Sequence, residues 1–184
     1  MNKAVFIDKD GTLIPDIPYN TNPSLITLQE NAVTGLRELQ EKGYLLIIIS
    51  NQAGVARGIF EEDALEGVKQ KVTSLLADEQ IHLDAFYYCP HHPEGKVEAF
   101  AVDCDCRKPK PGMLLKAAED FDIDLSASWM IGDILNDVEA GRRAGCRAVL
   151  INNGNETEWE VNDNRVPHYL VENINEAAAL ILEK

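Results

Sequence analysis

The chain has 184 residues, 45% of them hydrophobic, with 31 acidic against 17 basic side chains and a formal net charge of −14. That length and apolar share suit a single domain over residues 1–184 with a full core. The acidity and the lack of any Lys/Arg-rich block exclude a nucleic-acid binder. No apolar run approaches the ~20 residues of a membrane helix. Asp8 and Asp10 interrupt the early apolar stretch that a signal peptide would need. A cytoplasmic monomer with no membrane contact is expected.

Ala4–Ile7 reads as a short buried strand, followed at once by Asp8-Lys9-Asp10-Gly11-Thr12. Alternate side chains of extended chain share a face, which sets Asp8 and Asp10 toward one site, and Gly11 lets the chain turn. Two like charges this close are costly unless a cation or a reaction uses them. Taken alone, Asp-x-Asp-Gly is more often a turn than a catalytic centre. Glu30–Glu41 carries Ala32, Val33, Leu36 and Leu39 on a helical stripe that Gly43 stops. Tyr44–Ile49 is a continuous apolar strand ending at Ser50-Asn51, a pair that by itself would only cap the next segment. Glu61–Asp78 is amphipathic, and Ala85–Tyr88 is a short strand.

Cys89–Pro111 is the long irregular stretch, and such loops are more often functional than idle. Pro111–Phe121 opens a helix with proline in its first turn. Trp129–Ile131 is a strand leading into Gly132-Asp133, and Val138–Ala144 is helical. Ala148–Ile151 is a buried strand, Tyr169–Val171 an edge strand, and Ile174–Leu182 a closing helix. Apolar strands alternating with helices predict an α/β fold, a three-layer, doubly wound, mainly parallel sheet with no large cap domain. Ligands in such folds sit beyond the carboxyl ends of the strands. Asp8/Asp10, Ser50/Asn51, Cys89 and Asp133 are all expected just past strand ends.

The cysteine loop has a chemistry of its own. Cys104-Asp105-Cys106 is too close a pair for an ordinary structural disulfide in a reducing compartment, so metal binding is the better reading. Cys89-Pro90-His91 with Cys104 and Cys106 offers ligands suited to tetrahedral zinc, with His92 adjacent as an alternative to His91. Four protein ligands close the coordination sphere, which makes the metal structural. Buried free thiols are the plain alternative, and Cys146 is assigned to that class. Pinning Cys106 would also pin Arg107 and Lys108, a small basic patch in an acidic chain, and Arg107 offers a planar fork to a phosphate or sugar oxygens.

Asp8-Lys9-Asp10-Gly11-Thr12, Ser50-Asn51, Lys108, and Gly132-Asp133 with Asp137 together resemble the four ordered motifs of the haloacid-dehalogenase-like phosphatases. The resemblance implies Asp8 as nucleophile, Asp10 as general acid/base, and Ser50 and Lys108 as the phosphoryl holders. It implies an Mg²⁺ site from Asp8, Asp133 and the backbone near Asp10, with Asp137 as a supporting acid, and it favours His91 as the fourth zinc ligand. Tyr88–Gly95, Cys104–Met113 and Ser50–Gly58 resemble the branch that removes the 7-phosphate of a heptose 1,7-bisphosphate in nucleotide-activated heptose synthesis. Histidinol-phosphate phosphatases share the catalytic motifs and zinc loop, but their loop is shorter and they lack Val-Ala-Arg-Gly. Substrate contacts implied by that branch are Asp16, Tyr19, Asn51, Gln52, Ala53 and Arg107, around a small phosphorylated sugar. The chain departs from the branch at Pro18, where glycine is usual, along Asn20–Leu28, and at Ile134, where lysine often stands.

Overall fold

The computed structural model describes residues 1–184. Six strands form one sheet: β1 (Lys3–Ile7), β2 (Tyr44–Asn51), β3 (Ala85–Cys89), β4 (Trp129–Gly132), β5 (Arg147–Ile151) and β6 (Tyr169–Val171). Their spatial order is β3-β2-β1-β4-β5-β6, and every neighbouring pair is parallel. The helices are α1 (Val33–Glu41), α2 (Ala64–Asp78), α3 (Gly112–Phe121), α4 (Leu135–Ala144) and α5 (Ile174–Leu182). No helix is long and apolar enough to cross a membrane.

The two faces of the sheet follow the alternation of the strands. Val5, Ile7, Leu46 and Ile48 point into a core shared with Leu36 and Leu39 of α1, Val68 and Val72 of α2, and Ile174 and Ala177 of α5. Ala4, Phe6, Ile47 and Ile49 point the other way, onto Met113, Leu114 and Ala117 of α3 and Ala140 and Ala144 of α4. Both faces are buried, which is why the central strands are apolar without a break. The strand order reverses between β1 and β4, so the crevice at their carboxyl ends is the topological switch point. Asp8 follows one of these strands and Asp133 the other.

Element boundaries differ from the sequence expectation where side chains or loops intervene. α1 starts at Val33 and not at Glu30, because Asn31 takes a left-handed turn (φ 57°). That turn is tied on both sides: the Gln29 N–H donates to the Leu13 carbonyl and the Asn175 N–H to the Asn31 carbonyl. α2 starts at Ala64, since Glu61–Asp63 form tight turns first. α4 starts at Leu135, earlier than Val138, because the Asp137 carboxylate accepts the Asp133 and Ile134 N–H groups and caps the turn. β2 and β3 run on through Asn51 and Cys89 in mutual register. Ser50, Asn51 and Cys89 are therefore the last residues of strands, where the sequence placed them just after.

Candidate active site

Three carboxylates gather at the switch point. Oxygens of Asp8, Asp133 and Asp137 all lie within 4.8 Å of one another, and all three residues are buried. Lys108 reaches them from the loop before α3, with Nζ 2.6 Å from Asp8 Oδ1, 2.7 Å from Asp137 Oδ1 and 2.8 Å from the Ile49 carbonyl. Three acids and one ammonium leave a surplus of negative charge in a place with little water. Burial, with Asp137 and Asp133 adding to it and Lys108 opposing, raises Asp8 well above the usual carboxylate range. Burial and Asp137 push Asp133 up to about 6, although Asn155 and Thr12 donate to it. Burial works against the charge of Lys108, but Asp137 and Asp8 outweigh it and hold the ammonium above its ordinary value.

The turn after β1 needs its glycine. Gly11 sits at φ +86°, and a Cβ there would fall 2.2 Å from Asp133 Oδ2. The Asp10 side chain stands apart from the three-acid cluster: Oδ1 takes the Lys9 ammonium at 2.7 Å and Oδ2 the Gln52 amide at 3.0 Å. Lys9, almost fully buried, carries no signal in the sequence, because a residue between two aspartates reads as pointing away from their site. The same Gln52 amide donates to Ser50 Oγ at 2.7 Å, so the buried Ser50 hydroxyl lies beneath it.

Two adjoining cavities open from this end of the sheet. One, about 260 Å³, is lined by Asp8, Lys108, Asp133, Asp137, Ile134 and Asn155, together with Asp10, Asp16 and Asn51. The other, about 320 Å³, is lined by Tyr19, Gln52, Ala53, Arg107 and Pro18, and by the same Asp10, Asp16 and Asn51. The shared residues make them one cleft. All six residues expected to contact substrate line it, whereas Ser50 lines neither part. Asn51 does more than face the cleft: its Nδ2 donates to the Lys108 carbonyl and its Oδ1 accepts the Lys108 N–H, both at 3.0 Å. It grips the main chain that carries the ammonium. Arg107 Nη1 is buried without a hydrogen-bond partner. Pro18 and Ile134, the departures read in the sequence, both stand on the cleft wall.

The cysteine loop closes beside this cleft. Cys106 Sγ lies 2.8 Å from Cys89 Sγ and 3.1 Å from Cys104 Sγ, and His91 Nδ1 is 3.3 Å from Cys106 Sγ. All four donors fall within 4.8 Å of one another. His92 turns away, its Nε2 3.4 Å from Arg57. Burial would raise Cys104, but hydrogen bonds with Cys106 and Cys89 bring it down to about 7, whereas burial pushes the Cys89 and Cys106 thiols up. Cys146 is buried outside the group.

The HAD-hydrolase-like family matches residues 105–177. The chain is 44% identical over 155 residues to a D-glycero-beta-D-manno-heptose-1,7-bisphosphate 7-phosphatase of Pasteurella multocida, covering 84% of each chain. The chain belongs to the HAD-like phosphatases. The protein of the same description in Escherichia coli K12 is 40% identical over 168 residues, covering 86% of this chain and 88% of its own length. Among solved HAD-like phosphatases, the D,D-heptose 1,7-bisphosphate phosphatase of B. bronchiseptica, complexed with magnesium and phosphate, superposes with a TM-score of 0.83. It is 27% identical, and the match covers 98% of each chain. The six-stranded parallel sheet with helices on both faces is the fold of this family, as the sequence predicted, and the chain is a phosphatase.

Proposed function

We propose that the protein is an Mg²⁺-dependent phosphatase that removes the 7-phosphate of D-glycero-D-manno-heptose 1,7-bisphosphate. The observation that carries this reading is the continuous cleft. One end holds Asp8, Lys108 and Asp133, and the other holds Arg107 with a buried N–H that has no partner in the protein. A sugar with a phosphate at each end has a counterpart for both charges. The names of the relatives point to the same substrate.

The residues of the acidic end fit a hard cation. Asp8 and Asp133 offer oxygen ligands, and their crowded, buried charge favours a divalent ion over protonation at neutral pH. Mg²⁺ bound there would offset the charge of the phosphoryl oxygens. Asp8 attacks the phosphorus, the bond from phosphorus to the 7-oxygen breaks, and an aspartyl phosphate forms. Asp10 protonates the departing alkoxide. It then takes a proton from water, whose oxygen attacks the phosphorus and releases phosphate with Asp8 restored. Both oxygens of Asp10 already accept donors from Lys9 and Gln52, so one must be exchanged when the sugar oxygen arrives. Ser50 and Lys108 hold the phosphoryl group, with Gln52 moving off the serine.

Cys89, His91, Cys104 and Cys106 hold a structural Zn²⁺. Ligands at ~2.3 Å in a tetrahedron stand about 3.8 Å apart; the Cys89–His91 spacing matches that at 3.8 Å, and the sulfurs, 2.8–3.4 Å apart, would spread to take the ion. Such thiols persist reduced in the cytosol, which is the proposed setting, within the synthesis of nucleotide-activated heptose. The test is phosphate release with Mg²⁺ from both anomers of the heptose bisphosphate and from histidinol phosphate. Turnover of at least one heptose anomer well above histidinol phosphate is expected. Preference for histidinol phosphate would transfer the assignment to that branch.

A further inference from the structure

The chain after β5 turns back over the catalytic end of the sheet. Gly154, at φ +88° with open space where a side chain would stand, makes that turn. Three flanking residues then reach three different parts of the site. Asn153 Nδ2 donates to the Gly11 carbonyl at 2.8 Å, and its Oδ1 accepts the Asn155 N–H at 3.2 Å. Asn155 Nδ2 donates to Asp133 Oδ2 at 2.6 Å. Glu156 Oε2 accepts the N–H of Leu135, the first residue of α4, at 2.6 Å. The sequence pattern assigned none of these residues a role.

Asp133 is thereby held from two sides. Its Oδ1 takes the Thr12 hydroxyl at 3.0 Å, from the turn after β1, and its Oδ2 takes Asn155, from the turn after β5. Rotation of the carboxylate about its Cβ–Cγ bond would break both hydrogen bonds. Each oxygen of an ionised carboxylate offers about two acceptor directions, so each keeps one free for a cation. The contact is close-packed as well, since a Cβ on Gly11 would lie 2.6 Å from Asn155 Nδ2.

The geometry points to Asn155 as a positioning residue for the divalent-cation site, fixing the plane of the Asp133 carboxylate from the wall of the cleft. This rests on the Mg²⁺ site proposed above. Partners that orient a metal ligand typically cost roughly 10–100-fold in metal affinity when lost. Asn155 is exposed, so its replacement leaves the core intact.

The experiment titrates Mn²⁺ into the full chain without substrate and counts the free ion by electron paramagnetic resonance. Asn155→Leu keeps the bulk and loses the donor, and it should bind Mn²⁺ roughly 10–100-fold more weakly. Its metal-free melting temperature should stay close to that of the unaltered protein. Asn155→Ser carries the same expectation should the leucine variant fold poorly. Equal Mn²⁺ affinity in the unaltered protein and either folded variant overturns the inference while leaving the metal site standing. Absence of Mn²⁺ binding in the unaltered protein overturns both.

Discussion

Three buried acids gather with a single ammonium among them, Lys108, which pairs with Asp8 and Asp137, and that imbalance governs the chemistry of individual residues here. Without metal, the folded chain holds the Asp133 proton at about 6 against an ordinary 3.8. The sign depends on which state binds the proton more tightly. Asp133 favours folding at pH below 3.8, and that contribution is lost as pH rises through about 6. The difference is on the order of 3 kcal/mol at neutral pH. Asp133→Asn should therefore stabilise the metal-free protein by on the order of 2 kcal/mol near pH 8, and the gain should vanish near pH 4. Urea unfolding at the two pH values measures it, and equal stabilities near pH 8 would contradict the charge crowding. Asp8, Lys108 and Asp133 were legible in the sequence because each follows an apolar strand or a basic turn in a known order. Lys9, Asn51 and Asn155 were not, or not for what they do. Their amine and amide groups meet partners that only the folded chain brings near, as when Asn51 meets Lys108.

At the scale of elements, the strands were readable because burial on both faces leaves them apolar throughout. Helix starts were less so. The turn at Asn31, the Asp137 cap and the Glu156 contact to Leu135 are tertiary features that no local periodicity encodes. The loop 89–111 has few apolar residues of its own in the core, so the proposed zinc cage would supply what packing does not. Its position gives it a second effect, because Cys106 directly precedes Arg107 and Lys108. A strong zinc chelator should lower the melting temperature by roughly 5–10 °C, a loss of a few kcal/mol for a chain of this size. Activity with excess Mg²⁺ should fall along with the loop. An unchanged melting temperature after verified zinc removal, or protein that purifies with no zinc, would remove the cage from the account.

For the whole molecule, the distribution of charge matters more than its sum. A net charge of −14 repels a bisphosphate at long range. Attraction is concentrated in Lys108, Arg107 and the cation proposed for the acids, all at the one crevice the strand order creates. The fold class and the location of that crevice followed from the sequence, since strands ending in polar residues mark the carboxyl edge of the sheet. The shape of the cleft did not, because it arises where the segments after β1, β2, β3, β4 and β5 converge. The most direct test is ³¹P NMR of the heptose 1,7-bisphosphate during turnover with Mg²⁺. The account predicts that the 7-phosphate resonance is replaced by inorganic phosphate while the 1-phosphate persists, and that Asp8→Asn abolishes the change. Loss of the 1-phosphate, or phosphate release that survives Asp8→Asn, would contradict it.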